Sequence, residues 1–262
     1  MPARMRENVT VLRHYFWRSI LFISQYYESV KKIIDLVYQL EGEKIKHAGV
    51  CAADAIEGGG LIHVFGCGHS HMVGEELFYR AGGLAAVDSM FEESAMLHSG
   101  ARKSTRIERM SGYARLVMAQ YSVEKGDCLI ICSSSGINSF PIEMAEEAKK
   151  HGAVVIGITS SEYFGDKSRD KEGRHLADLC DFFIDNHVPH GDAVVDVKDG
   201  VKAGPVSSIS SFFIANEIVL ETCEELLKRG MEPPIFKSGN IPGGDEHNEK
   251  IMKKYAHRIK HL

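Results

Sequence analysis

Short apolar runs at Leu61–Phe65, Leu84–Asp88, Cys128–Cys132, Val154–Ile158 and Phe182–His187 alternate with stretches whose apolar residues recur at helical spacing. This alternation constrains the fold more than any other feature, because two parallel strands need a crossover long enough to hold a helix. The intervening helices are expected at Ser70–Ala81, Glu108–Tyr121 and Ser139–His151. Upstream, Val30, Ile33, Ile34, Val37, Ile45, Ala48 and Ala52 predict one long or broken amphipathic helix from Tyr26 onward. Downstream, Val206–Arg229 reads as a last strong helix stopped by Gly230. The runs at Leu61, Cys128 and Val154 lack polar alternation, which marks central parallel strands buried on both faces. The expectation is an α/β fold, a parallel sheet between two helical layers.

At 262 residues and 44% apolar composition the chain can bury a single large core. Residues 25–230 form the expected domain and residues 1–24 an appended, partly disordered extension. Residues 231–262 read as a Gly- and Pro-rich loop and a short terminal helix packed on the same domain. The formal charge of −5, with cations interspersed among acids, argues against a nucleic-acid partner but leaves small anionic ligands open. Phe16–Ile23 is apolar yet interrupted by Arg18, and it is too short to span a bilayer, so no membrane partner is expected. No small-residue cleavage site follows it, so no signal peptide is expected either. The six cysteines are scattered without metal-finger spacing, several inside apolar runs, which fits a reducing cytoplasm.

In an open parallel sheet, ligands bind beyond the carboxyl ends of the strands. The first such exit reads "FGCGHSHMVGEEL", with Gly66, Gly68 and Ser70 between a strand and a helix start. Free N–H groups and the helix dipole make such a turn an anion site. The third exit reads "CSSSGINS", where Ser133, Ser134, Ser135, Gly136 and Asn138 offer donors to one tetrahedral anion without any Lys or Arg. Two other readings of the first exit compete. A dinucleotide fingerprint would need glycine where His71 stands, but would find its ribose acid in Asp88; a tight turn would need no ligand. No Gly-Lys-Ser/Thr follows, so a Walker loop is excluded.

The pair "GCGHS" and "SSSGIN", with the helix and the strand "AVVIGIT" that follow, resembles the sugar isomerase (SIS) domain, whose Ser/Thr-rich turn holds the phosphate of a phosphosugar. The resemblance spans Tyr26 to Arg229 and is nearest to small bacterial phosphosugar isomerases of the phosphoheptose isomerase kind. It implies a five-stranded, flavodoxin-like three-layer α/β/α sandwich and a sugar phosphate as partner. It also implies no organic cofactor, and a homodimer or homotetramer with shared active sites. Asn138 stands where the motif has threonine, and since an amide also donates, an altered ligand shape is expected rather than lost phosphate binding. The resemblance further implies catalytic positions. Glu217 matches a glutamate in the SIS domain of glucosamine phosphate synthases, while Glu76, Arg80, Asn216 and Glu224 match the metal and catalytic set of heptose isomerases. Arg80 replaces a glutamate of that set and Glu224 a histidine, so neither the heptose nor the zinc carries over, and no metal is expected.

Moving a carbonyl between neighbouring sugar carbons needs a positioned base and acid, which makes Glu217, Glu76, Glu224 and His98 the catalytic candidates. Acids on one face of a helix also form a solvated stripe, and Glu75-Glu76 at a helix start favours the dipole with no further role. The polar stretch His98–Ser111 reads as a functional loop. His187, His190 and Asp192 offer a place for a divalent metal, against contact with a sugar hydroxyl or plain exposure. The function expected is an aldose–ketose or aminosugar-phosphate isomerase. The alternatives are a non-catalytic phosphosugar-sensing module and an NAD-dependent dehydrogenase. A sensing regulator would carry a DNA reader, and the roughly two dozen residues ahead of the first long helix are too few for a three-helix one.

Overall fold

The computed structural model describes residues 3–262, with side chains from Leu21 onward. Helices α1 (Ala3–Leu40) and α2 (Gly42–Glu57) are the broken amphipathic helix, and they lead into β1 (Ile62–Gly66). Then come α3 (Met72–Leu77), β2 (Val87–Ser89), α4 (Ala101–Glu108), α5 (Ala114–Met118) and β3 (Cys128–Cys132). The chain continues through α6 (Ser139–His151), β4 (Val154–Thr159), α7 (Leu176–Leu179) and β5 (Phe182–Asp185). A hairpin of β6 (Ala193–Lys198) and β7 (Val201–Pro205) precedes α8 (Ser207–Lys228) and α9 (Gly244–Tyr255).

Strands β1 to β5 form one sheet in the order β2-β1-β3-β4-β5, every pair parallel. This is the flavodoxin-like order, whose switch point lies between β1 and β3. Side chains alternate across the sheet as strand geometry demands. Ile62, Val64, Cys128, Ile130, Ile156 and Ile158 pack toward α2 and α8. Phe65, Leu129, Ile131 and Val155 pack toward α5 and α6. Every residue of β1 and β3 is buried, as the missing polar alternation predicts.

Several boundaries differ from the sequence reading, each for a local reason. The first helix after β1 is cut to six residues, because Phe78 turns extended and Tyr79 adopts a positive φ. The second expected strand starts later: residues 82–85 instead pair with the C-terminal loop, Ala85 N–H donating to the Pro234 carbonyl at 2.8 Å. The stretch His98–Ser111 is not a long loop. Most of it is α4, whose Arg102, Lys103 and Arg106 are polar residues on an otherwise ordinary helix, and Gly112, at φ +85°, separates α4 from a short α5. The fifth strand stops at Asp185, whose carboxylate accepts from His187 N–H at 2.8 Å and turns the chain. The β6–β7 hairpin has no counterpart among the expected elements, although its Asp199-Gly200 turn, with φ +49° and +81°, is a strong two-residue hairpin signal. The expected boundary at residue 24 falls inside α1, and the side chains ahead of Leu21 lie outside the described residues. Among the described residues no helix is long and apolar enough to cross a membrane.

Candidate functional site

The carboxyl ends of β1 and β3 open into a small cleft that the first turns of α8 close from the side. His69, Ser70, Val73, Cys132, Ser134, Ser207, Ser208 and Ser211 line it. Gly66 sits so close under the following turn that a Cβ would stand 2.4 Å from the Ser70 carbonyl oxygen. Gly136 has φ +61°, and a Cβ there would meet Thr159 Oγ1 at 2.7 Å. Both glycines are therefore required by backbone approach.

Behind the cleft, the fully buried Asn186 fixes the polarity of the hydroxyls. Its Nδ2 donates to Ser134 Oγ at 3.0 Å and to Ser211 Oγ at 3.4 Å. A hydroxyl that accepts from an amide keeps its own hydrogen to donate elsewhere. Asp192 organises the third wall, accepting from Val206 N–H (2.9 Å), Ser207 N–H (2.8 Å) and Ser207 Oγ (2.7 Å) at the start of α8. On the floor, burial pushes the Cys132 thiol up, an effect partly offset by hydrogen bonds with Ser211 and Ser70, so the thiol is neutral. The cleft is thus rich in hydroxyl donors, with no fixed charge among its serines and cysteine.

The other expected phosphate ligands are used differently. Ser133 Oγ accepts from Gly136 N–H at 3.3 Å, which stabilises the turn itself. Ser135 is half-buried and does not line the cleft. The Asn138 amide is occupied at both ends, donating to Glu108 Oε1 at 2.7 Å and accepting from Arg169 Nη1 at 2.8 Å. Burial raises the Glu108 pKa, with Asn138 and two arginines opposing it. Where the motif has threonine, this chain therefore ties α4 to α6.

One turn beyond the cleft, α3 meets α8. Glu76 accepts from Asn216 Nδ2 at 3.0 Å and forms an ion pair with Arg80. A guanidinium supplies no lone pair, so this set does not fit the zinc that the fold family implies, and no step is derived through that metal. Glu217 points elsewhere, lining a groove with Tyr38, Leu40, Lys46 and Phe213 at the α1–α2 turn. Glu224 is exposed and paired with Lys228 at 2.8 Å. His98 lies beside His71, ring centroids 5.3 Å apart. The trio His187, His190 and Asp192 does not converge: His187 faces Glu41 at 3.3 Å, His190 faces Asp166 at 3.0 Å, and Asp192 caps α8. Asp88 is fully buried against His63 at 3.1 Å, out of reach of a ribose.

Sequence reasoning missed Ser207, Ser208, Ser211 and Asn186. Their signal was present in "SSISS" opening a helix, but a serine cluster at one helix start is legible as a ligand wall only once the sheet brings it to the strand exits.

The SIS domain family matches residues 25–160. UPF0309 protein TTE0306 of Caldanaerobacter subterraneus subsp. tengcongensis is 43% identical over 90% of this chain and 98% of its own. UPF0309 protein BH0227 of Halalkalibacterium halodurans is 41% identical over 90% and 96% respectively. Among solved structures, a phosphoheptose isomerase from Francisella tularensis superimposes with a TM-score of 0.53 at 17% identity, covering 79% of this chain and 98% of that one. The chain therefore belongs to the SIS domain family, together with the UPF0309 proteins that match it over nearly their whole length. The likeness to the isomerase is one of fold.

Proposed function

We propose that the serine cleft binds the phosphate of a sugar phosphate and that the protein isomerises the sugar, as an aldose–ketose or aminosugar-phosphate isomerase. The observation that carries this reading is Asn186. By donating to Ser134 and Ser211 it leaves both hydroxyl hydrogens to be given onward, that of Ser134 to an anion at the switch point of the sheet and that of Ser211 shared with the Cys132 sulfur. Asn216 lies five residues beyond Ser211 on α8, about 8 Å further along the helix axis. That offset suits a short sugar phosphate whose carbonyl end reaches Glu76. In this reading Glu76, oriented by Asn216 and Arg80, is the base that moves the proton between neighbouring carbons.

The reading includes a homo-oligomer. Tyr38 (71% exposed), Leu40, Leu220 (62%) and Leu227 present apolar surface on α1 and α8, more than a monomer gains from exposing. Glu217, in the groove beside Tyr38 and Leu40, would then act at a site completed by a second copy.

The test is a thermal-shift panel of sugar phosphates and nicotinamide cofactors, followed by turnover assays on the ligands that bind. A bound ligand raises the melting temperature by mass action. Glu76→Gln is expected to keep ligand affinity and lower turnover by about 10²- to 10⁴-fold. Binding without turnover in the wild type would leave a sensing module, and preference for NAD over every sugar phosphate would remove the reading altogether.

A further inference from the structure

Next to the cleft, on its outer side, His71, Glu75 and His98 bring three ligand atoms within 4.8 Å of one another. His71 closes the single 3₁₀ turn Gly68–His71, and Glu75 follows four residues later on α3. His98 arrives from the chain after β2. The His71 ring is buried, while Glu75 and His98 are open to solvent.

The tautomer of His71 is fixed by its neighbour. Nδ1 faces the Gly68 carbonyl, which can only accept, so Nδ1 carries the proton. Nε2 is then the free ring position, and it faces Glu75 Oε1 at 3.1 Å. Two acceptors cannot face each other at that distance without a cation between them, either a second proton on the ring or a metal ion. A histidine that gives its other N–H to a backbone carbonyl has the outer-shell arrangement of metal-ligating imidazoles. The segment bearing His98 is held as well. Ser104 Oγ donates to the Ala95 carbonyl at 2.6 Å, and Ser99 Oγ donates to the Glu93 carbonyl at 2.5 Å.

We infer that His71 Nε2, Glu75 and His98 form a binding site for a divalent cation of the zinc class. Two imidazoles and a carboxylate suit Zn²⁺ or Co²⁺, and three protein ligands leave a coordination position open toward solvent. Tetrahedral ligands at about 2.0–2.2 Å from the ion stand about 3.3–3.6 Å apart. The His71–Glu75 pair is already close to that, and a rotamer change of the exposed His98 brings in the third ligand. These residues are distinct from the Glu76–Arg80–Asn216 set. The inference does not depend on the phosphosugar reading, since the site is complete without a sugar.

Titration of Zn²⁺ into chelator-treated protein by calorimetry, with Co²⁺ absorption in the visible as a second readout, tests it without any sugar phosphate present. Wild type is expected to bind one equivalent, with the d–d bands of a tetrahedral Co²⁺ site. His98→Ala and Glu75→Gln, both at exposed positions, are each expected to weaken that binding at least tenfold, since even outer-shell losses cost ten- to a hundredfold. Unchanged affinity and spectrum in the double variant would overturn the site, as would no saturable binding to the wild type. Failure here leaves the sugar-phosphate panel unaffected, and failure of that panel leaves this titration unaffected.

Discussion

The two ends of the sheet carry polar groups of opposite character. At the amino end, His63 on β1 bridges Asp88 Oδ2 (3.1 Å) and Asp127 Oδ2 (3.2 Å), all three fully or almost fully buried. Asp127 also accepts from Leu61 N–H and Glu124 N–H, both at 2.8 Å, and from Arg258. At the carboxyl end, Ser134 and Ser211 accept from Asn186 and keep hydrogens to give. One end has its charges paired inside the protein, while the other holds uncharged donors facing a cleft. The first arrangement serves stability, and in the proposed function the second serves recognition. A buried charge costs dearly unless partnered, whereas hydroxyls at a cleft mouth are comfortable in water until an anion displaces it.

Substitutions should separate the two ends. The largest effect is expected from Asp127→Ala, which strips His63 and Arg258 of a common partner and leaves two backbone N–H groups unpaired. A loss of about 3–5 kcal/mol in chemical denaturation is expected for breaking such a buried charge network, with sugar-phosphate affinity of the folded fraction unchanged. Ser134→Ala should do the reverse, weakening sugar-phosphate binding about ten- to a hundredfold, at about 1.5–3 kcal/mol per hydrogen bond to a charged group. Its stability without ligand should fall by less than that of Asp127→Ala, since Asn186 loses one of its two hydroxyl partners, at about 1–3 kcal/mol. If both variants changed stability and affinity alike, the division between the ends would fail.

A smaller effect concerns pH. Burial opposes charge on His63, but the hydrogen bonds it donates to Asp127 and Asp88, with their charges, raise its pKa above the ordinary value near 6.5. That contribution is fully present below the unfolded value and is lost as pH rises through the folded one. Asp127 is the opposite case. Burial raises its pKa, but His63, Arg258 and two backbone amides hold it well below the usual carboxylate range, so its contribution is fully present above the unfolded carboxylate value and is lost progressively as pH falls below it. Denaturation midpoints of the wild type should therefore fall on the alkaline side of 6.5, and His63→Gln should flatten that limb. The smallest effect is expected from Ser135→Ala, outside the cleft lining, with an affinity loss clearly below that of Ser134→Ala. Equal losses would redraw the phosphate contacts around the β3 turn.

The central strands and α6 were legible because their signals are local: uninterrupted apolar runs, and a helix bounded by Asn138 and Gly152. The strand-exit turns were legible through Gly66 and Gly136. What stayed hidden depends on partners far along the chain. His63 reads as a lone polar residue in an apolar strand until Asp127 is placed beside it. Nothing in "SSSGIN" reveals that Asn138 is held by Glu108 and Arg169, about thirty residues away on either side. The same holds for the serine wall of α8, which only the return of the chain brings to β3.

The tie between Arg258 and Asp127 joins residues 131 positions apart. During synthesis at about 5–20 residues per second, the carboxylate exists on the order of ten seconds before its arginine is made. For that interval Asp127 has His63 and two backbone N–H groups as partners but not its arginine. This buried contact is therefore completed only after residue 258 has been made. A ribosome stalled anywhere beyond β5 but short of residue 258 would display a sheet whose core strands are all present and whose Asp127 still rests on His63 alone among its charged partners.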